Sequence, residues 1–503
     1  MSTTYEYKGD YINGEFIRPS RKDGEWSNVS PGDLKDRVVS IDWGYESIDS
    51  AVLSACSAFV KWRRLSFDQR KEYLFKLKEV YTEHKEELAE AISRETGKPL
   101  WEARTEAGGM IGKIDITLNH SMKLVAEQRI ENALPNVDGV IHYKPRGVMA
   151  VIGPFNFPGH LPNGHIIPAL ALGNTIVFKP SEKTPYVGQL MAQLFHKAGF
   201  PKGVFNLLQG QGETGKRLVA HEKVDGVLFT GSYDVGLRIK QETIQHYWKL
   251  LALEMGGKNT CIVWDDADLE KAVYENIAGS FLTSGQRCSC TSKIVLHKSI
   301  ADKFIENFHQ TAKKLKIGHW KQDDVFMGPL ISEGSVDNYL RFQEIAKREG
   351  AENIMRGKVL ELNPGGHYVT PSIHRVAKND PQSIYQKSEI FGPNVCIYTV
   401  DDFDEAIEVA NTSGFGLVTS VFTKDQSLYE KAWLEARVGL LNWNRTTNGA
   451  SSRMPFGGMG KSGNDRPSAH FAVQYCSVPV SSLEDQTTFN PESVFPGVDY
   501  EFK

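Results

Sequence analysis

The sequence predicts an α/β protein of two successive parallel-sheet domains, and three observations carry that expectation. At 503 residues the chain is too long for one hydrophobic core, since cores stop growing at roughly 250–300 residues. From about residue 139 onward, short β-rich runs alternate with helical stretches. Each run ends in a turn rich in Gly, Pro, Ser or Asn. A βαβα rhythm of this kind requires a parallel sheet with helices on both faces.

Ahead of that rhythm the first hundred residues read as helical after a polar lead-in. Tyr73, Leu74, Leu77, Tyr81, Leu88 and Ile92 recur at helical spacing. They predict one amphipathic helix, terminated by Gly97 and Pro99. The first strand series falls at 148–152, 175–178, 204–208, 227–229 and 250–253. A second begins at 261–264, continues at 294–297 and 395–400, and ends at 440–443. The second domain therefore starts near residue 257. With no internal repeat and no low-complexity linker, the two must be tightly joined.

Composition narrows the function classes. Apolar residues make up 40% and charged residues 24%, ordinary for a soluble globular chain, and the net charge is −4. Lys and Arg are dispersed, so no basic face offers itself to nucleic acid. The apolar stretches near 148–152 and 166–178 are short or broken by Pro168, Gly173 and Asn174, below the roughly 20 residues a membrane span needs. Residues 1–16 are polar and lack a signal-peptide layout, so a cytoplasmic protein is expected. Six scattered cysteines (56, 261, 288, 290, 396 and 476) make no disulfide framework and fit a reducing compartment. Cys288-Ser289-Cys290, without nearby histidines, makes a poor zinc site, and no metal is expected.

In such folds ligands sit outside the carboxyl ends of the strands, and the notable motifs lie there. Gly210-Gln211-Gly212-Glu213-Thr214-Gly215 matches G-x-G-x-x-G between a strand and a helix, a place for phosphate on free N–H groups. Phe229-Thr230-Gly231-Ser232 is a second candidate, in which Ser232 caps the next helix or turns its hydroxyl toward a pyrophosphate. Cys288 follows a glycine turn and adjoins Arg287, which favours thiolate; a lone cysteine is otherwise a small buried hydrophobe. Glu254 directly follows an apolar run, which leaves an ion pair or a functional carboxylate as readings. Asn156, between Phe155 and Phe157, either satisfies backbone groups or presents its amide to a developing oxyanion.

Taken together these residues resemble the aldehyde dehydrogenase superfamily. Leu253-Glu254-Met255-Gly256-Gly257-Lys258 resembles its base motif and Gly285-Gln286-Arg287-Cys288 its nucleophile motif. Phe155-Asn156-Phe157-Pro158, Lys179-Pro180-Ser181-Glu182, Phe229-Thr230-Gly231-Ser232, Glu389-Ile390-Phe391-Gly392-Pro393 and Pro455-Phe456-Gly457-Gly458 complete the set, in order, across about residues 11–480. The resemblance implies Cys288 as nucleophile, Glu254 as general base, and Asn156 with the Cys288 N–H as oxyanion hole. It implies NAD as cofactor. Lys179 and Glu182 would hold the adenosine ribose, Gly231, Ser232 and Gly236 the pyrophosphate, and Glu389 with Phe391 the nicotinamide ribose. That assignment demotes the 210–215 turn. A carboxylate at 182 would repel a 2′-phosphate, favouring NAD over NADP. It also implies an aldehyde dehydrogenase-like division: 1–126 and 146–256 bind NAD, 257–469 is catalytic, 127–145 and 470–484 supply oligomerisation strands, and 485–503 is a tail. A homo-oligomer, dimer or tetramer, follows from those strands.

Within the family the resemblance is nearest to the branch acting on N-succinylglutamate 5-semialdehyde in arginine catabolism. It rests on 156–166, on Arg94-Glu95-Thr96-Gly97-Lys98-Pro99 with Trp101-Glu102-Ala103, and on Gly463-Asn464 with Arg466-Pro467-Ser468-Ala469. Lys258-Asn259-Thr260 and the Tyr11-Ile12-Asn13-Gly14 opening depart from that branch. A substrate with two carboxylates needs cationic or multi-donor partners, and Arg287, Arg445, Arg453 and His160 are the candidates. The alternatives are another amino-acid semialdehyde, acyl transfer to CoA (which would not need a base like Glu254), and a non-catalytic binding protein on the same fold.

Overall fold

The computed structural model describes residues 3–464 and 466–502. Met1, Ser2 and Lys503, at the outer limits of the expected division, and Asp465 lie outside the described residues. Hydrophobic runs that must be covered on both faces build the first sheet. Its strands run in the order Leu250–Met255, Gly226–Gly231, Val148–Ile152, Thr175–Lys179, Phe205–Leu207, Asp10–Ile12 and Glu15–Ile17. The first five are mutually parallel. Thr175–Lys179 is buried along its whole length, as a central strand between helix layers should be. The last two form an antiparallel hairpin turned at Asn13 and Gly14, both at positive φ (53° and 82°). That two-residue Asn-Gly loop is the turn that matches strand twist.

A second seven-stranded sheet follows, in the order Glu352–Met355, Ser372–Arg375, Asn394–Val400, Thr291–His297, Asn259–Val263, Val418–Phe422 and Leu440–Trp443. It is parallel except for Glu352–Met355. Only Gly256-Gly257-Lys258 separates the last strand of the first sheet from the first strand of the second in sequence. The chain later returns to the edge of the first sheet. Asn464 donates to the Leu251 carbonyl and accepts from the Leu253 N–H, both at 2.7 Å, and Gly463 bridges to Glu254. An asparagine side chain thus stands in for a neighbouring strand at the edge that carries Glu254.

Two expectations need correction. The single helix expected through residues 73–92 is two, Phe67–Glu83 and Lys85–Thr96, broken at His84 (φ −101°, ψ 19°). One residue in the bridge region disturbs the apolar phase too little for the spacing to reveal it. Leu74, Leu77, Tyr81, Leu88 and Ile92 are all buried, and Gly97 ends the second helix in the left-handed conformation at φ 78°. The segment expected as extended from 470 opens instead with the short helix Ala472–Tyr475, and the strand is Ser477–Glu484. It pairs antiparallel with Val137–Pro145, which pairs with Gln128–Leu134, in a separate three-stranded sheet. Among the described residues no helix is long and apolar enough to cross a membrane, and no three metal-ligating side chains cluster.

Candidate active site

The carboxyl end of Leu250–Met255 delivers Glu254 into a cleft between the two sheets. It pairs in register with Thr230 of the next strand, and both line the cleft. Glu254 is 1% exposed, forms no ion pair among the described residues, and leaves Oε1 without a hydrogen-bond partner there. The ion-pair reading of this carboxylate is therefore not realised. Its neighbour is Cys288, half-buried in the same wall and close enough to shift its titration. Burial pushes the Glu254 carboxyl up to about 8; the thiol contact opposes this and Glu389 adds to it. Burial, then the charges of Glu254 and Glu389, hold the Cys288 thiol well above its usual range. Thiol and carboxyl therefore titrate as a coupled pair, with Cys288 protonated at neutral pH.

Arg287 does not favour thiolate at Cys288. Its guanidinium is committed to Glu102 at 2.6 Å and to the Thr283 hydroxyl at 2.7 Å. Residues 283–285 shape the approach to this point. Thr283, Ser284 and Gly285 all take positive φ (56°, 57° and 72°), a tight left-handed turn. A β-branched residue there is strained, and such strain is retained where the surroundings over-determine it. The turn is pinned from several sides. Asn259 donates to the carbonyls of Cys288 (2.6 Å) and Cys290 (2.9 Å), while its own oxygen accepts from Val418 N–H.

Asn156 reaches the same point from the turn after Val148–Ile152. Its Nδ2 donates to the Gln286 carbonyl at 2.9 Å and its Oδ1 accepts from Phe157 N–H at 3.1 Å. Those two bonds fix the amide plane and orientation, and Asn156 lines the cleft. Among the described residues no acceptor takes the Cys288 N–H. Asn156 and Cys288 line one wall of the same cleft.

The cleft has a volume of about 800 Å³ and runs from this floor to Lys179 and Glu182. Its size suits a cofactor. Lys179 donates to the Pro180 carbonyl at 2.7 Å, and burial pushes its ammonium down to about 8. Gly231 and Ser232 line the middle, and the Ser232 hydroxyl also caps the helix Tyr233–Glu242 by accepting from Val235 N–H. Gly236 sits elsewhere: a Cβ there would lie 2.3 Å from Met255 Sδ, so this glycine packs helix onto strand and is not in the wall. Gly212, Gly215 and Lys216 do line the cleft, so the 210–215 turn faces the same space as the 231–232 turn. Glu389 accepts from Gly257 N–H at 2.8 Å, and burial pushes its carboxyl up to about 7 against that bond and Lys258. A Cβ on Gly256 would lie 1.8 Å from Glu389 Oε2, so only glycine admits the carboxylate. Phe391 (φ 55°) stands edge-on to Phe155 at 5.8 Å between ring centroids. This row of free glycine turns, a lysine, and two carboxylates fits a dinucleotide.

Sequence reasoning missed Asn259, Thr283, Gln286, Lys98 and Glu106. The Lys258-Asn259-Thr260 stretch drew attention only as a departure, although Asn259 holds the cysteine loop. Of the four groups considered for substrate carboxylates, Arg287 is committed to Glu102. Arg445 and Arg453 are exposed and in no ion pair among the described residues. His160 is held neutral, since burial pushes it below its usual value against Glu106.

Comparison with known proteins follows the same line. Residues 20–479 match the model of the aldehyde dehydrogenase family. The chain is 42% identical over 459 residues to an N-succinylglutamate 5-semialdehyde dehydrogenase of Paraburkholderia xenovorans (strain LB400), covering 90% of this chain and 92% of the relative. It is 39% identical over 500 residues to the protein of that name from Legionella pneumophila (strain Corby), covering 98% of each. The crystal structure of an NAD-dependent aldehyde dehydrogenase from Sinorhizobium meliloti superposes with a TM-score of 0.91 at 27% identity, covering 96% of this chain and 95% of the other.

Proposed function

Because the chain belongs to the aldehyde dehydrogenase family, we propose that it oxidises an aldehyde to a carboxylic acid with NAD, through a thioester on Cys288. The observation that carries this reading is the Cys288 thiol beside the buried Glu254 carboxyl, with Asn156 in the same cleft wall. Glu254 takes the thiol proton, and the sulfur adds to the aldehyde carbon. Asn156 Nδ2 and the Cys288 N–H hold the oxygen that becomes negative. NAD, when bound, supplies the acceptor for the hydride that leaves this adduct. What remains on Cys288 is a thioester. Glu254, having passed the thiol's proton to solvent, then draws a proton from the water that hydrolyses it and returns that proton to the Cys288 sulfur as the acid leaves, a task suited to a carboxyl with a value near the working pH. Lys179 and Glu182 at one end of the cleft and Glu389 with Phe391 at the other would hold the cofactor, with Gly231 and Ser232 between them. The acid at 182 favours NAD over NADP. Residues 1–126 and 146–256 form the cofactor unit in this reading, and 257–469 the catalytic one.

The substrate we propose is N-succinyl-L-glutamate 5-semialdehyde, giving N-succinyl-L-glutamate. Its support is the shared name of relatives 39–42% identical over nine-tenths or more of the chain. Of the four candidate groups, Arg445 and Arg453 remain uncommitted to any described acid, although both lie outside the cleft wall. Six free cysteines agree with a cytoplasmic setting. The test is NADH formation across a panel of semialdehydes and aliphatic aldehydes, run beside Cys288→Ala. A strong kcat/KM preference for the succinylated dianion, lost entirely in Cys288→Ala, is expected. Equal rates for simple aldehydes would end the substrate assignment, and an active Cys288→Ala would end the mechanism.

A further inference from the structure

The helix Leu100–Asn119 carries two buried carboxylates, Glu102 and Glu106, four residues apart and so on one face. Each grips a different wall of the cleft floor. Glu106 accepts from Lys98 Nζ at 2.7 Å, and its other oxygen accepts from the N–H groups of Gly159 (3.0 Å) and His160 (3.1 Å). Lys98 Nζ in turn donates to the backbone carbonyl of Asn156 at 2.7 Å. The loop that carries the Asn156 amide is thus held from both sides, at 156 and at 159–160. Glu102 accepts from Arg287 Nη2 and from the Thr283 hydroxyl, and Arg287 Nε donates back to that hydroxyl. That closed ring braces the left-handed turn leading to Cys288. The two grips meet on one ring: Lys98 Nζ lies 3.9 Å and the Arg287 guanidinium carbon 5.0 Å from the Phe157 centroid.

We propose that Glu102 and Glu106 are positioning residues which, through Arg287 with Thr283 and through Lys98, set the spacing between the two oxyanion donors, Asn156 Nδ2 and the Cys288 N–H. One rigid helix then acts as the spacer, and neither carboxylate touches the reacting atoms. The proposal rests on the thioester mechanism above. A purely structural role is the competing account, because a buried ion pair is weak evidence for either stability or function. What tells against it is where the bonds end: on the Asn156 carbonyl and on the strained turn before Cys288, and not on scaffold.

The test compares Glu106→Gln, Glu102→Gln and the double variant Lys98→Met/Glu106→Gln with wild type. Readouts are kcat and KM for aldehyde and NAD, thermal stability, and the rate of Cys288 alkylation by iodoacetamide, which needs the sulfur but no oxyanion site. Displacing one donor by an ångström or less costs roughly 10- to 100-fold in kcat. We expect that loss in Glu106→Gln and Glu102→Gln, with KM for NAD and the alkylation rate unchanged. Asn156→Ala added to Glu106→Gln is expected to cost far less than it does in wild type, because both act on one donor. Lys98→Met/Glu106→Gln removes the uncompensated buried ammonium, so stability returns while kcat stays low. Full kcat in the single variants, recovery of kcat with stability, or losses that multiply would each overturn the proposal. If Glu106→Gln does not fold, Glu102→Gln carries the same comparison from the other grip. A wild type that oxidises no aldehyde, or an active Cys288→Ala, refutes the underlying mechanism instead.

Discussion

Glu254 is held in a place that works against folding. In the unfolded chain its carboxyl ionises near 4.5, but in the fold burial keeps the proton on until about 8. Between those values the unfolded state has given up a proton that the folded state retains, so this residue's contribution to stability falls as pH rises through that window. Glu254→Gln should therefore be more stable than wild type at pH 8, by on the order of 1–3 kcal/mol, and the two should converge near pH 4. Thermal melts at several pH values decide it, and a difference independent of pH would show that the side chain is not a buried acid. The same variant should lose thioester hydrolysis, the exchange of stability for activity expected of a strained site. Asn156→Ala should lower kcat roughly 10²–10³-fold while leaving NAD binding intact; a loss below tenfold would remove its amide from the oxyanion site. Much at this scale was legible from sequence, since an apolar run ending in glutamate and an amide between two phenylalanines are conspicuous. The direction of Arg287 was not. Its partner Glu102 lies 185 positions away, so nothing local in the sequence marks the pairing.

At the level of elements, the strand ends and the turns after them set the site. Gly256 shows how closely: Glu389 comes so near its backbone that no side chain fits. Gly256→Ala should push the Glu389 carboxylate aside and break its bond to Gly257 N–H. Loss of one such contact corresponds to roughly a tenfold weaker affinity for NAD. Titration with NADH followed by fluorescence measures it, and unchanged affinity would mean that Glu389 takes no part in holding the cofactor. The strands that bore long apolar runs were readable from the sequence. Val418–Phe422 was not, because Thr419 and Ser420 at its centre are buried polar residues that break the hydrophobic signal. Ser372–Arg375 hides for the same reason, with one aliphatic residue in four. The three-residue strands of the amino-terminal hairpin are too short to show alternation, although Asn13-Gly14 is a two-residue turn signal between them. Burial decided these elements where local composition did not.

Over the whole molecule, the least self-sufficient part is the three-stranded sheet of Ser477–Glu484, Val137–Pro145 and Gln128–Leu134. Its middle strand is paired on both sides, which leaves an open edge on each outer strand. Gln128–Leu134 is exposed along its full length, with Ile130 at 51% and Leu134 at 50%, and Leu483 on the other outer strand is 61% exposed. An isolated sheet of this size with apolar residues facing water and free ladder groups at both edges is a template for another chain. The partner we propose for it is a second copy, since identical edges can pair about a two-fold axis and so close the assembly. Light scattering of the full chain should therefore give a dimer or tetramer. Ile130→Lys and Leu483→Lys, which put charge on the two outer strands without touching the cleft, should shift that mass downward. Because the cleft is built within one chain, the dissociated variants should keep their affinity for NAD. A wild-type monomer at micromolar concentration would rule out edge pairing. Variants that dissociate and lose NAD binding would show instead that neighbouring copies support the cleft.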